Sequence, residues 1–199
     1  FNMFLSEQNP KISPYHLKQY NLLSSVVNGY GSQISLQYKP LTDKSVYEKD
    51  NEPEVFPRVK VTMPRYVVSQ SSVYDPISKT KSTINYSYKN AKVNLQGRGW
   101  LGFQEMIIEN ISDPDSKLHT TTTTQYTQNF PLTGRLTSQQ QRRGHDGALL
   151  GITSFEYGYT NSVVSQANNQ VYVVYRKSKK HDSYSNGTYN YSQRHEYRY

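Results

Sequence analysis

Leu22-Leu23-Ser24-Ser25-Val26-Val27-Asn28-Gly29-Tyr30-Gly31-Ser32-Gln33-Ile34-Ser35-Leu36-Gln37-Tyr38 decides the fold of this chain. The run up to Val27 suits an extended backbone, and Asn28-Gly29 is a strong reverse-turn signal. From Ser32 to Tyr38 polar and apolar residues alternate, the period at which a strand shows one face to a core and the other to water. The stretch predicts a β-hairpin.

The same pattern recurs outward from it, and no helical period competes. Pro40 and the polar, acidic residues 43–54, bounded by Pro53 and Pro57, predict a long loop. Residues 65–69, continuing towards Tyr74, pair with residues 81–88 across a break at Asp75-Pro76, with Ser82, Ile84, Tyr86 and Tyr88 on one face. Residues 104–109 and 118–126 form another pair across Asp113-Pro114-Asp115. The five threonines 120–124 belong in a strand because β-branching favours the extended backbone. Residues 139–147 (QQQRRGHDG) read as an exposed loop. Residues 152–159, 171–175 and 183–191 read as further strands, with turns at Asn168-Asn169 and Asn186-Gly187. The expected fold is all-β, with antiparallel hairpins forming a curved meander or sandwich.

Composition points the same way. Hydrophobic residues are only 34% of the 199, so much of the apolar surface must come from the 19 tyrosines. Their amphipathic rings suit thin sheets with a wet face better than a thick core. Richness in aromatic and β-branched residues argues against disorder. No stretch approaches the length of a membrane-spanning helix, and no signal peptide opens the chain. A start at Phe1 suggests a piece of a longer or processed polypeptide. The absence of cysteine excludes disulfides, thiol nucleophiles and Cys-ligated zinc. Net charge is +8. Beyond residue 170, Arg176, Lys177, Lys179, Lys180, Arg194 and Arg198 face only Asp182 and Glu196. Interleaved tyrosines make nucleic-acid binding one reading of this region, but no recognition motif accompanies the charge. Solubilisation of exposed strands is the simpler reading.

No catalytic or cofactor-binding residue is identified, and no metal site. His16, His119, His145, His181 and His195 show no metal-ligand spacing. His145-Asp146 is the one local acid–base dyad, but sequence neighbours on a turn rarely converge on a substrate. Asp50, Glu52 and Glu54, like Asp113 and Asp115, match no calcium loop. Asn85, Asn110, Asn186 and Asn190 begin N-x-Ser/Thr sequons, which matter only in a eukaryotic source. Gly97-Arg98-Gly99-Trp100-Leu101-Gly102-Phe103 lacks the context of a phosphate loop. It reads as a structural motif, in which glycines permit unusual backbone while Trp100, Leu101 and Phe103 insert into a core.

Those residues carry a resemblance. Residues 22–31 and 34–41, then Val46-Tyr47, Pro64-Arg65-Tyr66-Val67-Val68-Ser69 and Tyr86-Ser87-Tyr88, follow one another as in the virulence-plasmid B and insecticidal toxin-complex B-component family. Gly97-Arg98-Gly99-Trp100-Leu101-Gly102-Phe103 is similar to that family's G-R-G-F-L-G-F, with Trp for the usual Phe. Residues 122–135 (TTTQYTQNFPLTGR) complete the match. The resemblance runs from about Leu22 to Arg135. It implies a toxin-complex B-like middle β segment over residues 1–135 and a Tyr-rich β extension over 136–199, continuous with it. It further implies a non-enzymatic part of a secreted bacterial protein. That part would follow an FG-GAP propeller and contribute to an Rhs/YD-repeat-related β shell around a toxin. Expected partners are other segments of the same polypeptide, toxin-complex components and the toxin cargo. The rival readings are a freestanding glycan-binding module and nucleic-acid binding by the C-terminal strands. If Trp100 is a buried anchor, Trp100→Ala should cost about 3–5 kcal/mol.

Overall fold

Where turn chemistry and alternation are clear, strands form as expected. The computed structural model describes residues 2–4, 22–111, 119–144, 146–163 and 170–198, and every regular element among them is a β-strand. Strands β2 (Ser25–Val27) and β3 (Gln33–Pro40) are the opening hairpin, with Val26 opposite Ile34. Their connection is wider than a two-residue turn. The Asn28 carboxamide oxygen accepts hydrogen bonds from the amides of Tyr30 and Ser32, and the positive φ falls on Gly31 (80°). Asn28 thus folds the loop through its side chain.

β6 (Tyr66–Asp75) and β7 (Thr80–Lys89) are the second pair, closed by Asp75, whose carboxylate accepts from the Ile77 amide and the Ser78 hydroxyl. β10 (Glu105–Asn110) pairs with the threonine strand β11 (Thr120–Tyr126). Their connection, with Asp113-Pro114-Asp115, lies outside the described residues. β14 (Gln170–Ser185) turns into β15 (Thr188–Glu196) at Asn186-Gly187, both at positive φ (50° and 79°). Residues 183–191 are therefore a tight hairpin, not one strand. Asn168-Asn169 lies outside the described residues.

One expectation is overturned. Residues 139–147 are not a loop: β12 (Leu136–Arg143) runs through the glutamines, pairing Gln139 with Thr124 and Gln140 with Ile152 of β13 (Leu149–Val163). Both faces are partly wet there, so backbone pairing holds the strand without apolar alternation to announce it. The turn shrinks to residues 144–148, closed by the Arg143 amide donating to the Ala148 carbonyl. His145 lies outside the described residues.

With β1 (Asn2–Phe4) at one edge and β15 at the other, the main sheet runs β1-β2-β3-β6-β7-β10-β11-β12-β13-β14-β15, every pair antiparallel. It is an open, curved meander. Register shifts at Gln37/Tyr38, Gln125/Tyr126, Gln141/Arg142, Glu156/Tyr157 and Ser183/Tyr184 are the local irregularities that bend and twist strands.

Two excursions leave the meander. Residues 41–65 contain β4 (Tyr47–Glu48), which joins the main sheet parallel to β7, and β5 (Arg58–Lys60). Residues 90–104 contain β8 (Lys92–Asn94) and β9 (Gly99–Gly102), and β5-β8-β9 is a small antiparallel sheet. The core lies where these excursions meet β7. It comprises Leu41, Val46, Tyr47, Val61, Tyr88 and Ala91, with Val67, Tyr86, Val93, Phe103 and Met106 packed against it. The stretch after Pro40, read as a polar loop, therefore supplies the two largest fully buried side chains among the described residues, Leu41 and Val46. Isolated apolar residues in an acidic run leave no period to read.

The Tyr47 hydroxyl ties the core together. It accepts from the Ala91 amide (3.0 Å) and donates to the Val61 carbonyl (2.9 Å), while the Tyr88 hydroxyl donates to the Val68 carbonyl (2.9 Å). Desolvation raises both phenols, Tyr88 to about 12 with a further contribution from Tyr86; for Tyr47 the Ala91 amide opposes the rise and Asp50 reinforces it. A phenol near 10 in the unfolded chain and higher in the folded one favours the fold in its neutral form. That contribution is whole below pH 10 and is lost as pH rises through about 12. Denaturant melts should show stability falling between about pH 10 and 12, with Tyr88→Phe flattening the fall. An unchanged slope in Tyr88→Phe would refute this assignment. Tyr47→Phe should cost about 2–3 kcal/mol at neutral pH, because it strands a buried amide and a buried carbonyl.

Candidate functional site: the glycine-rich hairpin

The glycine-rich motif forms the β8–β9 hairpin and its exit. Gly97, Gly99 and Gly102 all stand at positive φ (88°, 65° and 85°), conformations that side chains with a Cβ rarely adopt. The three large side chains do not share one fate. Leu101 is buried at 5% exposure, and Phe103 packs on the core, its ring 4.6 Å from Tyr88 and 6.2 Å from Tyr47 between centroids. Trp100 is 37% exposed. It meets Phe103 edge-on at 5.5 Å, and the Arg65 guanidinium lies 5.1 Å from its ring. Adjacent residues on a strand face opposite ways, so Trp100 and Leu101 cannot both point inward.

Gln128, buried in the segment after β11, holds the hairpin to the main sheet by donating to the carbonyls of Asn90 and Gly102 (both 2.8 Å). Arg98 stacks on Phe130, 3.2 Å from the ring centroid, and Phe130 in turn meets Tyr172 of β14 edge-on at 4.8 Å. Arg58 donates to Asn129. A shallow cleft between hairpin and segment 128–133 is lined by Arg58, Asn94, Arg98, Leu101, Phe130 and Thr133. Sequence reasoning singled out the hairpin and included Gln128 and Phe130 in the resemblance over 122–135, but did not show their role, which depends on residues distant in the chain.

The acidic residues 50–54 close on a lysine. Lys60 pairs with the Asp50 carboxylate and donates to the carbonyls of Asp50 and Glu52, while its amide donates to Glu54. The Lys60 hydrogen bond is the main reason the Asp50 carboxyl lies below the usual carboxylate range, followed by lesser, partly opposing effects. An internal ammonium thus holds the ground a bound cation would need. The other expected chemistry is dispersed. The His119 ring faces Gly144, His181 meets the Thr153 hydroxyl at 2.9 Å, and His195 lies on exposed β15. Asp146 accepts from Arg143 and from the Ala148 amide. Among the described residues no group of three His, Cys, Asp or Glu side chains is placed to hold a metal, and no helix is long and apolar enough to cross a membrane.

An open antiparallel sheet, with a small second sheet packed beside it, places the chain among all-β folds. Residues 11–134 match the family described as the insecticide toxin TcdB middle/N-terminal region, and this chain belongs to that family. Solved structures share the fold. The Photorhabdus luminescens Tc holotoxin pore carrying a TccC3 mutation superposes with a TM-score of 0.66 at 13% identity, over 83% of this chain and 10% of that one. The crystal structure of TcdB2-TccC3-TEV gives 0.63 at 13% identity, and that of TcdB2-TccC3-Cdc42 gives 0.62 at 12%, each over 82% of this chain and 10% of the other. This chain therefore spans about a tenth of the length of these neighbours. No curated protein matches its sequence.

The unequal burial changes what substitution should do. Leu101→Ala should cost about 2–5 kcal/mol, as for a core leucine. Trp100→Ala should cost only about 1–2 kcal/mol, since much of its area is already wet and its cation–π contact is exposed. Equilibrium unfolding of the two variants orders them; a larger loss for Trp100→Ala would refute the placement.

Proposed function

We propose that this chain is a non-enzymatic wall segment of a large secreted bacterial toxin-complex protein, part of a β shell that encloses or presents a toxic polypeptide. Family membership supports the toxin-complex context. The observation that carries the wall reading is the imbalance of burial along the sheet. The core sits at β7 and its excursions, whereas every residue of β15 is exposed, as are Tyr159, Val171 and Val173. A sheet with polar, Tyr- and Thr-rich faces can border a wet cavity without collapsing onto it. The neighbours' printed descriptions, TcdB2 with TccC3 and a Tc holotoxin pore, suggest the partners: further segments of the same polypeptide, other complex components and cargo. In this reading residues 1–135 and 136–199 are one continuous wall, since β12 pairs directly with β11. The glycine-rich hairpin, residues 97–103, is the brace that stiffens it.

The intact mass and terminal sequences of the native polypeptide test this first. A product several times the 23.0 kDa of this chain, with this segment internal, is expected. A mature protein of about 23.0 kDa would overturn it and favour a freestanding binding module. Among the described residues β1 and β15 end the sheet with no partner on their outer edges, so the isolated chain should associate as concentration rises. Light scattering that gives one monomer mass at all concentrations would contradict the open wall.

A further inference from the structure

The C-terminal half holds an unassigned cluster. Beside the Glu156/Tyr157 register shift, Tyr157 of β13 stands opposite Arg176 of β14, and beyond β15 the Tyr197 amide donates to the Lys177 carbonyl. The bulge sets one arginine between tyrosines from the neighbouring strands, a usual way for bulges to re-aim side chains. The Arg176 guanidinium lies 5.0 Å from the Phe155 ring centroid and 5.8 Å from that of Tyr197, and the Tyr197 side chain, followed by that of Tyr157, favours its charged form. A shallow cleft is lined by this trio with Arg135, Val174 and Tyr175. Gly158 leaves room there: a Cβ on it would stand 2.7 Å from the Tyr175 ring.

Two features are unusual. The Arg176 Nε is buried and has no acceptor, although unpaired buried donors are costly. No carboxylate lines the cleft, and neither Arg135 nor Arg176 forms a salt bridge among the described residues. The nearest acids in sequence are engaged elsewhere, Glu156 with Ser178 and Arg194, and Glu196 with Arg194.

We infer that the Arg135–Tyr157–Arg176–Tyr197 cleft is an oxyanion site that seats a carboxylate from an acidic, extended polypeptide segment. The planar guanidinium stands against the Phe155 and Tyr197 rings in a cleft with no carboxylate in its lining, and such a fork receives a carboxylate bidentately. Among the described residues adjacent β15 ends the sheet, offering an edge for such a segment to pair along, and the surrounding strands are strongly basic. Rings packed around one guanidinium suit a fixed fork better than a run of base-stacking platforms. The inference stands on this local geometry and does not depend on the shell reading.

Fluorescence anisotropy on the 199-residue chain at low salt tests it with a labelled peptide of about nine residues, a strand's length, alternating Thr and Glu. A Gln-for-Glu peptide and an oligothymidylate serve as comparisons. The Glu peptide should bind roughly tenfold or more tighter than the Gln peptide, and Arg176→Gln should remove that preference. Arg176→Lys should lose several-fold, keeping the charge without the fork. Arg135→Gln, at an exposed position, gives a weaker loss in a chain whose circular dichroism and melting are unchanged. Equal binding of the two peptides, insensitivity to both arginine substitutions, or displacement of the peptide by a tighter-bound oligothymidylate would each overturn the inference.

Discussion

The buried hydroxyl of Tyr47 is the constraint on which the architecture rests. A long meander has no intrinsic reason to hold two excursions, residues 41–65 and 90–104, against one of its faces. The phenol supplies that reason by satisfying the Ala91 amide and the Val61 carbonyl together, each from a different excursion. Its own strand, β4, meanwhile joins β7. Burying an aromatic ring stabilises the contact, and pairing its polar end removes the usual cost of taking a hydroxyl out of water.

From that anchor the structure spreads with decreasing burial. Phe103 packs on Tyr47 and Tyr88, Leu101 fills the inner side of the glycine-rich hairpin, and Gln128 fastens the hairpin to the segment after β11. Arg98, Phe130 and Tyr172 then carry contact as far as β14. Farther out, β13, β14 and β15 depend on backbone pairing and cross-strand side chains, such as Tyr184 with Tyr189. A core at one place and a largely uncovered sheet elsewhere is a poor plan for a freestanding globule. It fits the proposed wall reading, in which the remaining partners come from the rest of a larger polypeptide.

Much of the fold was legible because local chemistry governs hairpins. Asn186-Gly187 adopts the left-handed pair its sequence suggests, Asp75 closes its turn, and the threonine run is a strand. The glutamines of β12 were misread because exposed strands need no alternation, and Leu41, Val46 and Tyr47 because isolated apolar residues carry no period. In the glycine-rich motif the large residues were visible, but not which would face inward. Trp100 and Leu101 differ by one position, and strand geometry sends them to opposite sides.

By itself the sequence determined an all-β antiparallel chain, its principal turns and its family likeness, because turn residues, β-branching and motif order act over a few positions. Only the tertiary structure decided where the core lies, that Lys60 pairs with Asp50 in the acidic loop, and that Arg176 sits beside Tyr157 and Tyr197. Each of those depends on strand register and on residues far apart in the chain, and a single bulge is enough to change which side chains meet.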